Sequence, residues 1–125
     1  MTGNVLHDKS ILFAVRIVNF YKHLSDNKKE FVLSKQILRS GTSIGANIRE
    51  SKNAESDSDY VHKLSIALKE ADETQYWLEV LSLSNIITNS EFDSMNNDVK
   101  EIIALLTTII TKIKKKYTIN LKCES

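Results

Sequence analysis

Apolar residues recur along this chain at three- and four-residue intervals, the period of an amphipathic helix, and four such segments follow one another. In the first, from Asp8 to Leu24, Ile11, Val15 and Val18 share one side, while Phe13, Ile17, Phe20 and Leu24 fall on the other with Ala14 and Tyr21 between them. Arg16, Asn19 and His23 form a polar strip that Leu12 interrupts. A surface helix ordinarily carries an apolar stripe a little over ~100° wide. This one covers roughly twice that width, more than a single neighbouring layer can bury.

The second segment starts near Asn27, which forms a capping-box pattern with Glu30 three residues on, and ends near Ala54. Leu33, Ile37, Ile44 and Ile48 make its core face. The third follows "ESDSD", where Ser56 or Asp57 can cap and acidic residues suit the positive end of the helix dipole. Tyr60, Leu64, Ala67, Ala71 and Leu78 line one of its faces, and Ile66 and Trp77 another. The fourth begins at Ser90, with Asp93 in the capping-box position. Its stripe runs unbroken from Phe92, Met95 and Val99 through Ile102, Ile103 and Leu106 to Ile109, Ile110 and Ile113. Lys114 to Lys116 then place cations at the negative end of the dipole. Short connections force antiparallel neighbours. The expected fold is all-α, an antiparallel up-down-up-down four-helix bundle in a single domain over residues 1–125, with residues 1–7 and 118–125 as flexible ends.

Composition sharpens this picture. The 125 residues include no proline and only three glycines, Gly3, Gly41 and Gly45, too few for the turns of a β-rich fold. The net charge of +1 rules out a chain that coats nucleic acid by bulk charge and leaves room for local patches such as "KIKKK", Lys112 to Lys116. The single cysteine, Cys123, fits a reducing compartment. Charged residues crowd the N-terminal apolar run, so it does not read as a signal peptide, and no segment is long enough to span a membrane. A cytoplasmic protein is expected.

"LRSGTSIGANIRES", Leu38 to Ser51, places two glycines and several small polar residues in mid-helix. Each such glycine costs about 1 kcal/mol relative to alanine. A phosphate loop would need a strand-to-helix turn and a following lysine, and neither is present. Gly41 and Gly45 have the GxxxG spacing of membrane dimers, but Arg39, Arg49 and Glu50 make the stretch too polar for lipid. A helix break would be surprising without proline. Close approach of a neighbouring helix or subunit remains the best reading. Gly41 falls toward the core stripe and Gly45 away from it, which makes Gly45 the candidate subunit contact. Beside the core face, Gln36, Arg39, Ser43, Asn47 and Glu50 form a stripe of short hydrogen-bonding groups with charges of both signs. It reads as an interface or a buried polar network as readily as an ordinary solvated face. Glu73 on the third helix is the expected partner of Arg39, and truncating Arg39 would then strand a buried carboxylate.

"QILRSGTSIGANIRESKNAES", Gln36 to Ser56, and "DYVHKLSIALKEADETQYWLEVL", Asp59 to Leu81, together resemble a bacterial four-helix bundle family that includes the proteins encoded in intervening sequences of 23S ribosomal RNA genes. A distant branch is the accessory variability determinant of diversity-generating retroelements. The resemblance is strong over the second and third helices and one of pattern elsewhere. The chain departs from it with Ser40 and Gly41 where many members have a pair of small residues, and with Arg49, Glu50 and Ser51 where many read Ala-Glu-Gly. Glu50 and Glu73 match recurrent acidic positions. The resemblance implies a homopentamer, which would use the surplus apolar arc of the first helix together with Ile66 and Trp77. It implies nucleic-acid or reverse-transcriptase binding only for some branches.

Catalytic and metal-binding patterns are missing. His7, His23 and His62 lack ligand spacing, and His62 reads as a surface residue. Glu70 and Glu73 have no second ligand set of the kind a di-iron bundle requires. No enzyme activity, cofactor or metal is expected. Two classes of function remain. One is an accessory protein for RNA, DNA or a nucleic-acid-handling partner, with Lys112, Lys114, Lys115, Lys116, Arg49 and Lys52 as leading contacts and Lys28, Lys29, Lys35 and Arg39 as further candidates. The other is a protein-interaction scaffold that binds no nucleic acid.

Overall fold

A computed structural model describes the backbone of residues 2–124 and the side chains of residues 5–118. It contains four helices, α1 (Thr2–Asp26), α2 (Leu33–Ser51), α3 (Asp57–Leu83) and α4 (Asn89–Glu124). Each packs on its chain neighbour, and α4 returns to α1, which closes an antiparallel four-helix bundle. α1 therefore begins before Asp8, and α2 is shorter at both ends than the apolar period suggests. The side chain of Cys123, and parts of the ends expected to be loose, lie outside the described residues.

The core is built on heptad-like rows. On α1, Leu6, Ser10, Phe13, Ile17, Phe20 and Leu24 are buried and step alternately by four and three residues. On α4, Met95, Val99, Ile102, Leu106 and Ile110 do the same work. The second apolar row of α1 finds no cover within the chain. Leu12 is 66% exposed and Val15 54%, and Val5, Ile11 and Val18 are exposed as well.

The starts of α2 and α4 follow different residues from those the capping patterns suggested. Asn27 does not cap α2, which begins six residues later at Leu33; its side-chain amide lies 2.8 Å from Nδ1 of His23. Glu30 instead reaches forward, accepting from the amides of Val32 (3.1 Å) and Ser34 (2.7 Å) at the start of α2. At α4 the reciprocal box is Thr88 with Glu91, not Ser90 with Asp93. The Glu91 amide donates to Thr88 Oγ1 (3.1 Å), and the Thr88 amide donates to the Glu91 carboxylate (2.9 Å). Ser56 caps α3 as expected, accepting from the Asp59 amide at 3.0 Å. With no glycine available in the turns, Lys29 and Asn85 take the left-handed backbone conformation, at φ 55° and 59°. Asn85 accepts this easily, being a residue whose short polar side chain tolerates that region.

The two mid-helix glycines make room for α1. A Cβ on Gly41 would lie 2.7 Å from Cγ1 and 2.8 Å from Cδ1 of Ile17, well inside contact distance. At Gly45 the nearest atom is the backbone oxygen of Ser10, at 3.4 Å. Gly45 thus faces α1 of its own chain, a close helix contact that accounts for the missing side chain without a second subunit. On the opposite flank of α2, the buried Thr74 hydroxyl donates to Ser40 Oγ at 3.0 Å, so small residues bring α3 close as well.

Candidate nucleic-acid interface

Up-down topology gathers the start of α1, the end of α2, the start of α3 and the end of α4 at one end of the bundle. Arg49 and Lys52 close α2, and Lys112, Lys114, Lys115 and Lys116 lie near the end of α4, so these six cations share that end. All six are exposed, and none makes an ion pair among the described residues. Acidic groups intervene: Glu50, Glu55, Asp57 and Asp59 occupy the turn between α2 and α3 and its borders, and Glu50 lies 3.6 Å from Lys63. Lys28, Lys29 and Lys35 lie at the opposite end, in and after the α1–α2 turn, and are separate from this cluster.

Between the first turns of α3 and residues 113–118 of α4 runs a groove of about 420 Å³. Val61 and Ile113 are half-buried in it, and Tyr117 and Lys114 are exposed along its side. A second depression of about 470 Å³, lined in part by Lys52 and Tyr60, adjoins it across Asp57. α4 is 36 residues long against 27 for α3.

The polar stripe of α2 is not a buried network within one chain. Gln36, Arg39 and Glu50 are exposed. Ser43 donates to the Arg39 carbonyl (2.6 Å) and Asn47 to the Ser43 carbonyl (2.9 Å), so Ser43 spends its one donor and Asn47 one of its two on their own helix. The cause is geometric: this row looks outward between α2 and α3, at the rim of their contact. Arg39 bridges to Glu73 and, at 3.3 Å, to Glu70. Glu73 also accepts from the Trp77 indole at 3.1 Å. The Arg39 side chain is half exposed and its partners Glu70 and Glu73 are partly exposed, so within one chain no fully buried carboxylate lies beneath it.

A family model described as 23S rRNA-intervening sequence protein matches residues 4–108. The chain belongs to this family. A crystal structure of a protein with unknown function, from the S23 ribosomal protein family of Bacteroides thetaiotaomicron VPI-5482, is similar to it. The two are 60% identical, the match covers 89% of this chain and 99% of that one, and the TM-score is 0.88. None of the curated proteins matches.

In this intervening sequence protein the α1–α4 seam carries side-chain pairs that the apolar pattern did not disclose. Lys9 meets Glu101 (2.7 Å), Arg16 meets Asp98 and the Ser94 hydroxyl, and His23 Nε2 lies 2.8 Å from Glu91. The signal was present, since Lys9, Arg16 and His23 stand seven apart on the edge of the α1 core row. What sequence alone lacks is which acidic residues of α4 face them. Glu91 is held below the usual carboxylate range chiefly by the Thr88 amide, against the opposing effect of burial and with help from the Thr88 hydroxyl and His23. Glu30 is held low too: burial pushes it up, and the amides of Ser34, Leu33 and Val32 together outweigh that push. His62 is exposed, and Nδ1 of His7 is buried without a hydrogen-bond partner. Among the described residues no group of three His, Cys, Asp or Glu side chains could hold a metal, and no helix is long and apolar enough to cross a membrane.

Proposed function

We propose that this protein is a non-enzymatic, cytoplasmic accessory protein that assembles as a homo-oligomer, a pentamer, and binds nucleic acid through the basic end of its bundle. The observation that carries the reading is the placement of Arg49 and Lys52 on α2 and of Lys112, Lys114, Lys115 and Lys116 on α4 at the same end of the bundle, exposed and free of ion pairs among the described residues. Repetition around a ring would multiply these charges, so a chain of net charge +1 still offers a strongly basic surface. The uncovered row of Val5, Ile11, Leu12, Val15 and Val18 supports assembly, because apolar area gains about 25 cal/mol for each Å² removed from water.

Binding of RNA and DNA across a salt series tests the nucleic-acid half. Wild type should bind at low salt and weaken steeply as salt rises. Changing Lys112, Lys114, Lys115 and Lys116 together to Gln should leave helix content intact and reduce the salt slope by roughly three. A wild-type protein that binds neither polymer at low salt refutes this half and leaves the protein-interaction scaffold. Light scattering tests the other half: the mass should be several times 14.2 kDa, and Leu12→Glu should lower it without loss of helix. A monomeric wild type refutes it.

A further inference from the structure

We propose that the groove between α3 and α4 seats an unpaired nucleobase, with Tyr117 as its stacking surface and Lys114 as the contact for the adjoining phosphate, so that this protein prefers single-stranded to duplex nucleic acid. The inference rests on the nucleic-acid reading above and specifies the form of ligand it takes. At about 420 Å³, open to solvent along one side, the groove has room for a flat heterocycle. Its walls offer what a base requires. Val61 and Ile113 provide an apolar floor, and the Tyr117 ring is 50% exposed beside them. Bases stack on such rings without regard to sequence, because every base has a π-face.

The charges along the groove distinguish a base from a bare phosphate. Asp57 lies at the rim opposite Lys114. A carboxylate repels a phosphate but accepts hydrogen bonds from the amino edge of cytosine, adenine or guanine. The Thr118 hydroxyl already donates to the Lys114 carbonyl, at 3.0 Å, which leaves Asp57 and Ser58 to meet the base edge. The sugar–phosphate chain would then pass Lys114 and continue to Lys115, which lines the next depression on α4 together with Lys114. In a duplex each base is stacked on both faces and paired at its edge, so the groove would have nothing to hold.

The test is equilibrium binding of the full-length chain to a short single-stranded RNA and to a duplex of the same length, at about 50 mM salt. The single strand should bind about tenfold more tightly. Tyr117→Leu should remove about tenfold from single-strand affinity, leave duplex affinity and the salt slope unchanged, and be rescued in Tyr117→Phe. Circular dichroism and light scattering establish that each variant keeps its fold and assembly. Ultraviolet crosslinking of wild-type protein to the single strand, which needs no variant, should attach it to the peptide containing Tyr117. Equal or tighter duplex binding, an unaffected Tyr117→Leu variant, or crosslinks confined to other peptides would overturn the base seat and leave the basic end in place. Absence of any binding by wild type overturns the nucleic-acid reading and the base seat with it.

Discussion

Gly41→Ala adds one methyl group at the tightest point of the α1–α2 contact, and its cost can be worked from the structure. The new Cβ would sit 2.7 Å from Cγ1, 2.8 Å from Cδ1 and 3.0 Å from Cγ2 of Ile17. Carbon atoms are comfortable at about 3.5–4.0 Å, so the two helices or the Ile17 side chain must give way by close to an ångström. Ile17 is fully buried and branched at Cβ, so it has no free rotamer into which to withdraw. Overpacking of this kind costs about 1–3 kcal/mol, and the better helix propensity of alanine returns up to about 1. With the full return of about 1 kcal/mol from propensity, the net loss is up to about 2 kcal/mol, or up to roughly 1 M in the urea midpoint for an m-value near 2 kcal/mol/M. Gly45→Ala should go the other way. Its Cβ would meet Ser10 at 3.4 Å, an ordinary contact, so the propensity gain remains and the midpoint should rise. Urea titrations at one fixed protein concentration measure both, since assembly makes apparent stability depend on concentration. Ile17→Ala completes a double-mutant cycle, in which its cost should be smaller in the Gly41→Ala background. A Gly41→Ala protein at least as stable as wild type, or additive effects of the two substitutions, would refute the packing argument.

Two further outcomes follow from the side-chain pairs. Arg39→Ala should cost no more than about 1 kcal/mol in the chain's own folding, because Arg39 bridges to Glu70 and Glu73 at the surface; a loss of several kcal/mol in urea titration would mean that the pair is buried in the assembly. The carboxyls of Glu30 and Glu91 ionise more readily in the folded chain than at their ordinary value of 4.5. Their stabilisation is therefore full above about pH 4.5 and disappears as pH falls through the lower folded values. Urea midpoints measured from pH 7 downward should drop in that acidic window, and the drop should be shallower in a Glu30→Gln, Glu91→Gln variant; an unchanged profile would count against the role of these caps.

The sequence by itself determined the four helices, their antiparallel order and most of the core. Those are properties of local period and short connections: Phe13, Ile17, Ile44, Leu64, Leu78, Val99 and Leu106 are buried where the three-four spacing puts them. The excess of apolar surface on α1 was legible for the same reason, since a stripe too wide for one neighbour is visible in a single helix. The family resemblance, carried by the blocks from Gln36 and from Asp59, was legible too. Tertiary structure decided what depends on a second element. Gly45 faces Ser10 because of how α1 crosses α2, and no angular position on α2 alone can say so. The polar row from Gln36 to Glu50 lies at a rim and not in a core, because burial is set by the distance to α3. Glu91, not Asp93, completes the α4 cap because the helix is capped two residues earlier, at a Thr88 that no apolar period marks. The cations of α2 and α4 stand 60 to 67 positions apart in the chain, from Lys52 and Lys112 to Arg49 and Lys116. Only the closing of the bundle brings them to one end, beside the groove of Tyr117.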